Sequence, residues 1–170
     1  MLDNPPHSLL DLNNKNLNKF NIIKPQYDRS KLSPGIVHIG VGNFHRAHLS
    51  WYLHRLMQKN KNLDWGIIGS GVLNYDREMQ HKLKKQDFLT TLIELDPQGN
   101  KNCEIIGPMI DYASVESNNL SLINAMSDSR IRIVSLTVTE GGYFLDGENS
   151  DLDFTNPDIV NDINNPNSPK

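Results

Sequence analysis

The sequence predicts an α/β fold: a mostly parallel sheet with helices on both faces, broken off before its last strands. Three observations predict it. Two β-branched runs, residues 36–39 and 131–138, are near-continuously apolar, as strands buried on both faces are. Helical repeats of apolar residues alternate with the extended runs. The first run ends in Gly40-Val41-Gly42 and passes directly into a helical pattern.

The elements follow in chain order. Residues 1–34 carry Pro5, Pro6, Asn13, Asn14, Pro25 and Pro34, and read as an N-terminal arm with at most one short helix around 9–17. Residues 36–39 (Ile-Val-His-Ile) form the first strand. From Phe44 the spacing of Leu49, Leu53 and Leu56, with Tyr52 and Met57 beside them, predicts one helix with a broad apolar face. A second strand fits 65–69. Residues 76–85 are a charged helix with Met79 and Leu83 facing inward. A third strand is expected at 89–95 and, after a turn at 97–100, further extended chain at 103–112. A helix at 120–126 and a strong strand at 131–138 complete the pattern, followed by a loop and a short helix at 157–163. About four sheet strands are visible where a full dinucleotide fold uses six. The expected division is therefore an arm, 1–34, and an incomplete dinucleotide-binding domain, 35–170.

Bulk properties narrow the function. A chain of 170 residues is long enough for one domain with a real core. Its 17 basic and 20 acidic residues leave a net charge of -3, which argues against nucleic acid as a partner because phosphate binding needs clustered positive charge. The single Cys103 cannot form an internal disulfide, so a reducing cytoplasm is expected. No stretch is long and apolar enough to span a membrane, and the polar, acid-bearing N-terminus is not a secretory signal.

The chemistry concentrates at Gly40-Val41-Gly42-Asn43-Phe44-His45. Gly40 permits a tight turn, and Gly42 lets a diphosphate approach the backbone because no Cβ intervenes. The following helix start offers unpaired N–H groups and the positive end of its dipole, with the Arg46 charge nearby. His45 stands where the compact pattern has its third glycine. Taken alone, Gly-x-Gly after a strand fits a dinucleotide site, another nucleotide-like ligand, or a structural turn. A methyltransferase would place an acid just before the glycines, where this chain has His38 and Ile39. After the second strand the first carboxylate is Asp76, either a ribose ligand that repels a 2′-phosphate and so favours NAD, or a helix cap. The adjacent Arg77 weakens the exclusion of NADP. His45, His48 and His54 lack the further ligands of a metal site, so no metal is expected. His38, inside the first strand, reads as a hydrogen-bonded core histidine.

The longer string from Gly35 through Gly40, Gly42, Phe44-His45-Arg46-Ala47 to His48 resembles the nucleotide-binding segment of the long-chain mannitol dehydrogenases. That family also includes arabinitol dehydrogenases and the fructuronate and tagaturonate reductases. Trp65-Gly66-Ile67-Ile68-Gly69-Ser70-Gly71-Val72, the run from Ile133 to Tyr143 and the run from Asn165 to Lys170 agree with it in order and spacing. His45 in place of the third glycine is itself a trait of the family. The resemblance implies a Rossmann-like domain and an oxidoreductase moving a hydride between NAD(P) and the secondary alcohol of a sugar alcohol, such as mannitol, or of a sugar acid. It implies no zinc, and a Lys, Asn and His catalytic group in a helical C-terminal domain that this chain lacks. The small-molecule substrate would meet that missing domain, and the chain alone would be inactive, whether it is part of an enzyme or a truncated remnant. Carried over residue by residue, the cofactor-binding set is Ile36, Val37, His38, Ile39, Gly40, Val41, Gly42, Asn43, Phe44, His45, Arg46 and Ala47, with Asp76 setting the preference for NAD. Tyr75 stands where some members have a second acid, which leaves NADP open. Thr137 and Glu140 would lie near the nicotinamide end.

Overall fold

The computed structural model describes residues 10–59, 62–139, 142–147 and 151–169. Along the chain run β1 (Pro34–Ile39), α1 (Asn43–Ala47), α2 (Leu49–Met57), β2 (Gly66–Ser70) and α3 (Asp76–Lys85). There follow β3 (Thr90–Leu95), β4 (Lys101–Ile106), β5 (Met109–Tyr112), α4 (Leu120–Met126), β6 (Ile133–Leu136) and α5 (Pro157–Asn164).

Four strands form one parallel sheet in the order β5-β2-β1-β6. The chain builds outward from β1 through β2 to β5, then crosses back to lay β6 on the other side of β1. That reversal places a topological switch point between β1 and β6, and ligands of open α/β sheets bind outside the strand carboxyl ends at such points.

Because successive strand residues face opposite sides, β1 serves two cores at once. Ile36 belongs to a buried cluster with Val41, Ile67, Leu83, Met109 and Tyr112, joined by Leu53 and Met79. Val37 packs on the other face with Leu122, Ala125 and Met126. Helices α2 and α3 thus cover one face and α4 the other, which is the layering that the near-continuous apolar strands require.

Three sequence expectations need correction. The run at 89–95 is not a strand of the main sheet: β3 pairs antiparallel with β4 in a separate two-stranded hairpin. The short turn at residues 96–100, closed by Asp96 accepting from the backbone N–H groups of Gln98 and Asn100, folds the chain back on itself. The single helix expected from Phe44 is two helices, broken at His48, whose backbone leaves the helical region at φ -121° and ψ -87°. The break lets α1 turn His45 inward while α2 independently buries Ser50, His54 and Met57. In the arm, no helix forms at residues 10–16. Asn13 Oδ1 instead accepts from the N–H of Asn16 at 3.0 Å, a local bond that competes with helix, and a 3-10 turn follows at Leu17–Lys19.

The arm is fastened by Arg29. Its Nε donates to the Gly107 carbonyl at 3.0 Å, and its Nη2 to those of Asp87 and Met109 at 2.8 and 2.9 Å. Val138–Lys170 form a second unit. In it Leu145 and Leu152 make an antiparallel bridge, and α5 starts at an Asn156 cap whose side chain accepts from the N–H of Asp158 at 2.9 Å.

Candidate functional site

The carboxyl end of β1 narrows into a very tight turn. Gly40 N–H donates to the Ser70 carbonyl at 2.9 Å, which holds the turn against β2. Gly42 N–H then donates to the Gly40 carbonyl at 2.8 Å, a reversal across a single residue. Gly40 has φ +89°, a conformation that L side chains rarely adopt, and a Cβ there would sit 3.3 Å from the Thr137 carbonyl. Gly42 serves differently. Its backbone is extended, and a Cβ would meet nothing within 4 Å, so its exposed face opens onto free space. Bare backbone beside the N–H groups that start α1 is the arrangement an oxyanion group needs.

Side chains brace the turn from behind. Arg46 Nη1 donates to the Val41 carbonyl at 2.7 Å and Nη2 to Asn43 Oδ1 at 2.6 Å, so its positive charge folds back over the turn. His38 and His45 stack with ring centroids 3.7 Å apart and planes 14° from parallel. Burial, followed by the proximity of His38 and of the Arg46 guanidinium, pushes His45 down to about 3; burial also lowers His38. Both rings are therefore neutral near pH 7.

Asp76, the first residue of α3, lies at the carboxyl end of β2. Its Oδ2 accepts from the N–H of Leu73 at 2.9 Å, while its own N–H donates to the Leu73 carbonyl at 2.9 Å. That reciprocal pair closes the turn that leads into α3, and it leaves Oδ1 without a hydrogen bond among the described residues. The carboxylate lies directly over Gly71, where any side chain would collide with it. Burial and the Asp76 charge push the Tyr112 hydroxyl up to about 12, so it stays a neutral donor near the acid. Arg77 is turned aside, its Nε donating to the Val115 carbonyl at 3.2 Å.

The residues expected from sequence thus fall into three groups. Gly40, Gly42, Asn43, Phe44, Arg46 and Ala47 come together at the turn, with Gly42, Asn43, Phe44 and Ala47 exposed. Ile36, Val37 and Val41 are buried in the cores, so their side chains support the turn from within; Ile39 is half-buried at the end of β1. Asp76 stands at the neighbouring strand end. Thr137 lies at the switch point, its N–H donating to the Ile39 carbonyl at 3.0 Å; Glu140 lies outside the described residues. Sequence reasoning missed Gly71, Ser50 and Ser135. The first had a signal, a small residue closing the second strand ahead of the acid; Ser135 meets His38 from 97 residues away, and Ser50 reaches His45 only because the helix breaks between them. Among the described residues no group of three or more His, Cys, Asp or Glu comes together to hold a metal.

Residues 34–170 match the mannitol dehydrogenase Rossmann domain. The chain belongs to the mannitol dehydrogenase family. It is 52% identical to the mannitol 2-dehydrogenase of Cereibacter sphaeroides over 148 residues, 87% of this chain and 31% of that protein. It is 36% identical to the polyol:NADP oxidoreductase of Gluconobacter oxydans over 151 residues, 88% of this chain and 31% of the relative. Its fold superposes on Pseudomonas fluorescens mannitol 2-dehydrogenase, solved as a ternary complex with NAD and D-mannitol, with a TM-score of 0.76 and 38% identity. That match covers 95% of this chain and 33% of the solved one. This member of the mannitol dehydrogenase family therefore spans about a third of the length of the relatives it matches, and corresponds to their nucleotide-binding portion.

Proposed function

We propose that this chain is the NAD-binding portion of an oxidoreductase that interconverts a sugar alcohol such as mannitol and its ketose. The observation that carries the reading is the open glycine turn at the β1–β6 switch point, with a carboxylate at the end of the adjacent strand β2. Gly42 and the first amides of α1 would hold the diphosphate, with Arg46 adding positive charge. Asp76 Oδ1 would accept from the ribose hydroxyls, and its charge would oppose a 2′-phosphate. Thr137 would lie toward the nicotinamide end. When bound, the nicotinamide supplies the hydride chemistry, and this chain's part is to bind and orient it. Polarising the alcohol and taking its proton would fall to a further helical domain. The relative named as a polyol:NADP oxidoreductase and the exposed Tyr75 beside Asp76 support keeping NADP as a weaker second cofactor. Among the described residues no helix is long and apolar enough to cross a membrane. With a lone cysteine and a slightly acidic balance, this supports a cytoplasmic enzyme of a small-molecule substrate.

Calorimetric titration of the chain with NAD and with NADP tests the proposal. Saturable NAD binding, at least roughly tenfold tighter than NADP, is the expected result, since one uncompensated charge contact is of that order. Heat signals no larger than those of dilution with both cofactors would overturn it.

A further inference from the structure

We propose that the stacked imidazoles of His38 and His45 are a positioning device for the glycine turn, doing by ring contact what close helix–strand approach at a third glycine does in the compact pattern. The inference rests on the reading above only insofar as that turn receives a diphosphate.

A third glycine works by letting the helix rest directly on the strand, which fixes where the first helical amides stand relative to the strand end. With a histidine there, the helix must stand off, and something has to set the new distance. The structure fills the gap with two parallel rings and secures each at its far side. His38 has both nitrogens engaged by β6 and the residue after it: Nδ1 lies 2.9 Å from Ser135 Oγ, and Nε2 3.0 Å from Thr137 Oγ1. Its ring therefore cannot rotate without losing a bond. His45 Nε2 lies 3.1 Å from Ser50 Oγ, a contact that crosses the break between α1 and α2. The result is a continuous line of contacts, β6 to β1 to α1 to α2, running directly behind Gly40 and Gly42. Both imidazoles are buried, 4% and 1% exposed, and the His45–Ser50 pair is buried with them.

Ordinary core filling does not account for the arrangement. His45 Nδ1 is buried with no partner among the described residues, a cost that a phenyl ring of the same shape would avoid. What the imidazole adds is the bond to Ser50, which ties the orientation of α1 to that of α2.

Three backbone amides report on the turn: Gly40 to Ser70, Gly42 to Gly40, and Arg46 to Gly42. Their hydrogen-exchange rates in the 170-residue chain would be compared in His45→Ala, His45→Phe, Ser50→Ala and Leu122→Ala. The last removes a buried side chain on the opposite face of the sheet and so controls for general loss of stability. In His45→Ala the three amides are expected to exchange roughly tenfold faster than in Leu122→Ala, with His45→Phe recovering only part of the protection, because its ring keeps the stack but loses the bond to Ser50. Should His45→Ala not fold, Ser50→Ala carries the same expectation at smaller size. Equal exchange in the histidine or serine variant and the Leu122 control, or no recovery by phenylalanine, overturns the proposal. NAD titrations on the same variants separate the two readings. If the unmodified chain fails to bind NAD, the functional assignment falls, while the exchange rates still decide whether the stack positions the turn.

Discussion

Gly40 and Gly42 stand two residues apart and are needed for unrelated reasons. Gly40 is constrained by its backbone, while Gly42 has permitted angles and faces open space, where the diphosphate is proposed to lie. Substitution should separate them. Gly40→Ala forces a Cβ into a positive-φ position against Thr137 and should cost about 1–2 kcal/mol of stability in urea unfolding. Gly42→Val has permitted backbone angles and open space, so stability should stay within about 0.5 kcal/mol, as for exposed substitutions generally. The same valine would stand where the diphosphate is proposed to lie, and calorimetry should show NAD binding lost. If Gly42→Val binds NAD as the parent does, the cradle is elsewhere. Asp76→Ala should narrow the gap between NAD and NADP affinities and, through the lost Leu73 bond, cost about 1 kcal/mol. These glycines and the acid were legible because strand, turn and helix have a local grammar. The His38–His45 stack was not, because it depends on how α1 tilts, and the break at His48 carries no sequence mark.

At the scale of elements, the arm, α2 and β4 are joined through one polar cluster. Buried Glu104 accepts from Trp51 Nε1 at 2.6 Å and from Arg55 Nη2 at 3.1 Å. Its second oxygen lies 4.0 Å from His54 Nε2, and His54 Nδ1 pairs with the Tyr27 hydroxyl at 3.0 Å. Burial and then the Arg55 charge push His54 down to about 4, so a neutral imidazole sits between the phenol and the carboxylate. Glu104→Ala leaves the half-buried Trp51 Nε1–H without its acceptor and should cost about 2 kcal/mol, with Glu104→Gln losing roughly half as much. Equal, small losses in both would show that the joint rests on packing alone. Here the sequence was misleading in an instructive way. Residues 89–95 have strand chemistry, and counting them among the sheet strands did not use the turn at 97–100 for what it is, a hairpin signal between two extended runs. By contrast α3, α4 and α5 were readable, since their apolar spacing and polar flanks need no tertiary partner to be interpreted.

Among the described residues of the molecule three histidines are buried and neutral, His38, His45 and His54, and they give its stability a common pH dependence. Each has its folded value lowered below the ordinary 6.5, so the unfolded chain binds protons that the folded chain refuses. Their contribution is complete above about pH 6.5 and is lost progressively as the pH falls toward about 4 for His54 and about 3 for His45. Urea midpoints measured between pH 7.5 and about 4.5 should fall steadily on the acid side, and His45→Phe should flatten that fall by about one proton's worth. A flat profile would mean that the rings open to solvent. With NAD and mannitol the chain alone should show no turnover at the rate of full-length relatives, because the proposed cradle supplies only orientation. The layered fold was readable at this scale because β1, buried on both faces, leaves a compositional trace; the equally apolar β6 corrects that reading, since it stands exposed beside β1 with Ile133, Val134 and Leu136 uncovered. Strand order was not, since nothing local says that β6 returns to the far side of β1.

The tip of the β3–β4 hairpin lies outside the parallel sheet, and its turn residues are exposed. Its base, not its tip, is held, through Glu104 and the bridge to Ile23. A peptide epitope or a fluorophore grafted between Pro97 and Asn100 would therefore hang from the molecule like a label on a string, leaving the glycine turn undisturbed. The protein thus has a natural handle for immobilisation or for distance measurements by energy transfer to a bound dinucleotide.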